Sequence, residues 1–144
     1  MGPWLQLYLH LVWATWDRQP LITPGVESRL YAALAAKARQ LSCDPLAIGG
    51  VADHVHVLVS LPAIVTVASL VKELKGASSH LVTHEVAPMA GFRWQGGYGA
   101  FTLARRDIPV IRRYVVEQKS HHADGTARGV WEQTTTAEEP RPGT

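Results

Sequence analysis

The segment His54-Val55-His56-Val57-Leu58-Val59 restricts the fold more than any other stretch of the chain. Strict alternation is the period of a β-strand, in which residues i and i+2 share a face. Val55, Val57 and Val59 take one face, suited to a core. His54 and His56 take the other, roughly 7 Å apart. Two imidazoles at that spacing can converge on one cation. They can equally be two half-buried histidines held by hydrogen bonds, and His-x-His alone does not separate the readings. Asp53 precedes them, either as an acceptor behind one imidazole or as a turn residue.

The neighbouring elements follow from local pattern. Residues 5–16 are apolar, aromatic and β-branched, as in a buried strand. Thr23-Pro24 is a helix start, a capping hydroxyl before proline at the first helical position. Leu30, Leu34, Ala38 and Leu41 continue it at helical spacing over 24–41. Residues 46–51 and 54–60 predict an antiparallel pair joined at Ala52-Asp53. A second helix fits 63–75, with Gly76 interrupting it before 77–86. Residues 88–99 are loop-like, 100–105 fit a fourth strand, and Asp107 caps a last helix. The order β-α-β-β-α-β-α contains the split βαβ pattern of a ferredoxin-like α+β fold with an antiparallel sheet.

On that last helix Tyr114 and Gln118 stand at i and i+4, side by side on one face. A phenol with a pKa of about 10 is a poor nucleophile until a metal or base activates it. The same pair also suits an ordinary solvated face.

Composition limits the function classes. At 144 residues, 47% hydrophobic and 18% charged, the chain supports one globular core. No apolar run reaches a membrane span, and the N-terminus shows no secretory signal. The single cysteine, Cys43, excludes an internal disulfide and a cysteine-built zinc site, so the cytoplasm is the expected compartment. Residues 1–122 carry 12 basic and 8 acidic side chains, a net of +4, which permits a polyanionic partner. Residues 123–144 carry a net of −2 and few apolar residues. They predict a poorly ordered tail, with Trp131 docking back onto the domain.

Four segments in order resemble the small single-tyrosine HUH transposases of bacterial insertion sequences and their REP-associated tyrosine transposase relatives. They are Asp53-His54-Val55-His56-Val57-Leu58; Leu70-Val71-Lys72-Glu73-Leu74-Lys75-Gly76 with Ser78-Ser79; Trp94-Gln95-Gly96-Gly97-Tyr98-Gly99-Ala100-Phe101; and Tyr114-Val115-Val116-Glu117-Gln118 followed by His121-His122. The resemblance covers residues 5–122 and implies a transposase domain over 1–122. It implies that His54, His56 and Gln118 bind a divalent cation, Mg²⁺ or Mn²⁺, with Asp53 behind the histidines. It implies that Tyr114 attacks single-stranded DNA, giving a 5′-phosphotyrosine link and a free 3′-OH, and that rejoining reverses this step.

The resemblance also implies a homodimer, with the tyrosine helix completing either its own or its partner's site. The apolar run Leu7–Trp13, a poor bare edge strand, argues the same way. Lys72, Lys75, Arg93, Arg105, Arg106, Arg112, Arg113 and Lys119 are the candidate phosphate contacts for single-stranded or hairpin DNA. Trp94 and Tyr98 are the candidate stacking residues. A domesticated hairpin-binding protein that no longer cleaves is the alternative, and a small metal-binding protein unrelated to DNA a second one.

Overall fold

The computed structural model describes residues 2–135. Its elements are β1 (Tyr8–Ala14), α1 (Pro24–Gln40), β2 (Pro45–Val51), β3 (His54–Ser60), α2 (Val67–Leu81), β4 (Gly99–Leu103), α3 (Ile108–Val116) and α4 (Gln118–Asp124). Short 3₁₀ turns lie at Trp16–Arg18, Arg105–Asp107 and Gly129–Glu132. The sheet order is β2-β3-β1-β4 with every pairing antiparallel. This is the ferredoxin-like arrangement that the element order predicted.

β1 is therefore central, paired to β3 on one side and β4 on the other. The expectation that this apolar strand is an edge needing cover from a second copy is corrected: its apolar residues are explained by burial on both faces, and the sheet edges are β2 and β4. One face, with Leu9, Leu11, Trp13, Val55, Val57 and Val59, packs on α1 through Leu30 and Leu34 and on α2 through Leu70 and Leu74. Burying each such leucine stabilises the fold by about 1.5–3 kcal/mol. The opposite face holds a smaller cluster of Leu58, Ile111 and Val115 under α3. There the backbone of α3 passes so close to β2 that a Cβ on Gly49 would strike the Val115 carbonyl.

Several local readings change. Neither Thr23 nor Asp107 makes a side-chain cap bond; Thr66 does, accepting from the Ser69 amide at 3.1 Å. That cap starts α2 at Val67 rather than at 63. Gly76 lies inside α2, which runs on to Leu81 and widens into a π-helical turn over Val82–Val86. The last helix is split at Glu117 into α3 and α4.

The boundary expected at His122 falls within α4. Gly125, at φ 74°, ends that helix in the left-handed conformation glycine favours. Residues 126–135 then return to the domain instead of trailing as a tail, because they have a seat there. Trp131 packs edge-on against His10 and Tyr114. A Cβ on Gly99 would strike the Gln133 carbonyl, and one on Gly97 would crowd that of Thr134. Residues 136–144 of the expected tail lie outside the described residues. Among the described residues no helix is long and apolar enough to cross a membrane.

Candidate active site

β3 brings His54 and His56 to the α3 face of the sheet, opposite Ala14 and Val12 of β1. Both side chains are buried. His54 Nδ1 donates to Asp53 Oδ1 at 2.7 Å, which turns Nε2 into the site. Behind His56, its Nδ1 meets His10 Nε2 of β1 at 2.8 Å. His10 is buried, and burial first, then the charge of His56, lowers its pKa to about 3. It is therefore neutral.

Glu132 closes the front of the pair. Its Oε2 lies 2.9 Å from His56 Nε2 and 3.0 Å from His54 Nε2. The contact with His54 is out of line for a hydrogen bond, so among the described residues that buried nitrogen has no hydrogen-bond partner. The donor atoms of His54, His56 and Glu132 all lie within 4.8 Å of one another. A cation with bonds of ~2.1 Å keeps neighbouring donors ~3.0–3.4 Å apart. An uncommitted buried nitrogen, a second imidazole and an anionic oxygen fit a divalent cation.

The electrostatics agree. Burial works against a charge on His54, but its contacts with Glu132 and Asp53 outweigh burial and raise its pKa. On His56 burial wins over Glu132, and the pKa falls. Burial would raise the Glu132 carboxyl, yet His54 and His56 hold it well below the usual carboxylate range. Glu132 is thus an anion placed against two imidazoles.

Tyr114 of α3 joins the cluster within the same chain, its ring 5.8 Å from that of His56. Its hydroxyl donates to Glu132 Oε1 at 2.5 Å and accepts from the Arg128 amide at 2.9 Å. Burial and Glu132 together raise the phenol's pKa, so it holds its proton. The His121 ring stacks on Tyr114 at 4.8 Å. His122 Nε2 stands 3.2 Å from Glu132 Oε1 and 3.1 Å from Gln118 Oε1.

Gln118 is buried beside this cluster, but its amide donates to the Tyr114 carbonyl at 3.0 Å. Among the described residues the oxygen on the two imidazoles is that of Glu132. The Gln118 carboxamide, expected as the third ligand, faces the Tyr114 carbonyl and His122 in this arrangement. Glu132 and His10 escape the sequence reading. The signal for His10 was a polar residue inside an otherwise apolar strand. For Glu132 it was weaker, an acid beside the tail's one tryptophan.

The candidate DNA contacts scatter. Trp94 is buried, donates to Ser78 Oγ at 3.0 Å and packs edge-on against Trp13 and Phe92, so it is a core residue with no free face for a base. Tyr98 is half-buried against the same core. Lys75 is tied to the Gln95 and Gly97 carbonyls at 2.9 and 2.7 Å. Lys119 pairs with Glu27 at 2.7 Å, and Arg112 donates to the Leu46 carbonyl at 3.2 Å. Lys72, Arg93, Arg105, Arg106 and Arg113 are exposed. Of these, Arg113 lines a cleft with Tyr114, Glu117, His121, Arg128 and Trp131.

Comparison with known proteins agrees with this fold. The family described as "Transposase IS200 like" matches residues 4–118. The ISDra2 transposase TnpA of Deinococcus radiodurans is 26% identical over 118 residues, which cover 78% of this chain and 84% of that protein. A solved structure from Deinococcus radiodurans, provisionally assigned as a transposase, superposes with a TM-score of 0.63 at 26% identity, covering 80% of this chain and 94% of the other. A REP-associated tyrosine transposase bound to a REP hairpin shares the fold, with a TM-score of 0.58 at 16% identity, covering 96% of this chain and 94% of its own. With the family match spanning most of the chain and the histidine strand and tyrosine helix meeting in one cluster, the protein belongs to the IS200-like transposase family.

Proposed function

We propose that the protein nicks and rejoins single-stranded DNA through Tyr114, at a divalent cation held by His54, His56 and Glu132. The observation that carries this reading is the position of Glu132. One carboxylate oxygen lies against both histidines and the other accepts the Tyr114 hydroxyl. Nucleophile and donor set are thereby joined through a single side chain.

In this reading Tyr114 Oη bonds to the scissile phosphorus while the bond from phosphorus to the 3′ oxygen breaks. The phenol proton passes to Glu132, the base already hydrogen-bonded to it, and the departing 3′ oxygen takes a proton from water. The products are a 5′-phosphotyrosine and a free 3′-OH, and attack by a 3′-OH on the same linkage regenerates Tyr114. A bound cation would polarise the phosphate and steady charge on the leaving oxygen. Two imidazoles and a carboxylate suit Mn²⁺ better than Mg²⁺. Asp53 and His10 hold the imidazoles from behind. The buried Gln118 supports the Tyr114 backbone and faces His122.

The exposed basic residues would supply phosphate contacts for a strand or hairpin. That the shared fold has been solved with a REP hairpin on a REP-associated transposase supports this ligand class. The homodimer remains a proposal carried by the family resemblance, since the cluster is assembled within one chain.

The test is incubation with single-stranded DNA from the sequence flanking the gene, in Mn²⁺, followed by denaturing electrophoresis. A covalent protein–DNA species that Tyr114→Phe abolishes, with hairpin binding retained, is the expected result. Hairpin binding without any covalent species would instead favour the non-cleaving alternative.

A further inference from the structure

We infer that Trp16 and Arg93 form a stacking subsite for one unpaired nucleobase of the strand that reaches Tyr114, an inference that rests on the DNA-processing reading above. Trp16 is a large aromatic residue left 40% exposed. The guanidinium of Arg93 lies 3.9 Å from the centre of its ring. Arg93 is itself exposed. An indole and a guanidinium plane on the surface offer what the face of any base recognises, stacking together with cation–π attraction.

The corner carrying Trp16 is held in place at a conformational cost. Asp17 and Arg18 are consecutive non-glycine residues in the left-handed region, at φ 53° and 52°. Four bonds fix the turn: the Trp16 amide to the Arg93 carbonyl at 2.9 Å, the Asp17 amide to Gln95 Oε1 at 2.9 Å, the Arg18 amide to the Thr15 carbonyl at 3.1 Å, and Thr15 Oγ1 to the Gln19 carbonyl at 2.6 Å.

The corner also adjoins the active site. Trp16 follows β1 two residues after Ala14, which pairs with His54. Thr15 donates its amide to the Asp53 carbonyl at 2.9 Å, and the Arg18 guanidinium stands 4.0 Å from the Asp53 carboxylate that holds His54. A nucleotide stacked on Trp16 therefore lies beside the end of β3 that carries Asp53 and His54. Arg93 and Arg18 supply positive charge for its phosphate. Trp94, buried in the core, cannot take this role.

The test uses the full chain and two hairpins, one with a short single-stranded overhang and one blunt. Trp16→Ala should weaken binding to the overhang hairpin by about 5- to 100-fold and leave the blunt hairpin unchanged. Trp16→Phe should restore most of the loss. An abasic scan of the overhang should find one position whose base matters to the native protein and no longer matters to Trp16→Ala. Equal loss on both hairpins, or no such position, overturns the subsite. A native protein that forms the covalent species while Trp16→Ala binds the overhang undiminished overturns the subsite alone. A native protein with no affinity for the overhang removes both the subsite and the DNA reading beneath it.

Discussion

His10 Nε2 and His56 Nδ1 share one proton across 2.8 Å, between the central strand β1 and its neighbour β3. If His56 presents a lone pair at Nε2 to a cation, its Nδ1 must carry the hydrogen and donate to His10. His10 then keeps its own hydrogen on Nδ1, a buried atom with no partner among the described residues. With Nε2 of His56 protonated toward Glu132 instead, the bond runs in reverse, from His10 to His56. The pair thus permits both states, and His10 accepts from His56 whenever Nε2 of His56 is free for a cation.

His10→Phe is therefore expected to weaken Mn²⁺ binding by about 10- to 100-fold. The substitution strands His56 Nδ1 but also removes the unpartnered His10 Nδ1, so the net loss of stability should be small. His10→Gln, which keeps an acceptor at the end of its side chain, should retain more of the affinity. Calorimetric titration of Mn²⁺ alongside thermal unfolding separates the two effects. Native affinity in His10→Phe would sink the tautomer argument.

The same residue shapes acid stability. The His10 pKa is lowered from 6.5 to about 3, by burial first and then by His56. Its contribution is fully present above 6.5 and is lost as pH falls toward about 3, where the unfolded chain takes up a proton that the folded one refuses. The slope is about 1.4 kcal/mol per pH unit for one proton. Urea unfolding of metal-free protein at a series of pH values should show this acid limb, and His10→Phe should flatten it by one proton. His54, whose pKa is raised, works in the opposite direction and is unaffected by that substitution.

Glu132 and Gln118 make contrary claims on the third ligand position. The carboxylate is anionic and sits against both imidazoles, whereas the carboxamide is engaged with Tyr114 and His122. Glu132→Gln should therefore weaken Mn²⁺ binding at least tenfold, as loss of a charged ligand does, and Gln118→Ala should cost less. Electron paramagnetic titration of Mn²⁺ reads both. If Gln118→Ala abolishes binding while Glu132→Gln leaves it intact, the carboxylate merely stands where a phosphate oxygen belongs.

The sheet and the shared face of the two histidines were legible in the sequence because each rests on local periodicity, whereas Tyr114 beside them followed from the family resemblance alone. Alternation placed His54 and His56 on one face, and apolar spacing placed the helices within a few residues. What escaped depends on distant closure. Glu132 reaches the site only because Gly125 ends α4 and Gly97 and Gly99 leave room for the returning chain. His10 matters only through pairing across β1 and β3. Trp94 misled because the glycine-rich loop around it suggested exposure, while its indole enters the core and bonds Ser78.

The basic residues allow a sharper claim about phosphate contacts. Arg112 and Arg113 are adjacent on α3, so they point away from each other around the helix. Arg112 spends its Nε–H on the Leu46 carbonyl at the edge of β2. Arg113 lines the cleft that holds Tyr114, His121 and Arg128. A strand presenting its scissile phosphate to Tyr114 must pass that cleft, so Arg113 is the one expected to neutralise a phosphate. Each single-strand phosphate contact contributes about −0.7 to the slope of log affinity against log salt. Arg113→Ala should therefore flatten the slope by about 0.7, while Arg112→Ala should leave it unchanged. Binding titrations on an overhang hairpin at several salt concentrations give both slopes. Equal flattening by the two substitutions would mean that the strand also crosses the edge of β2, against this division between the two arginines, and an unchanged slope for Arg113→Ala would place the phosphate path elsewhere on the domain.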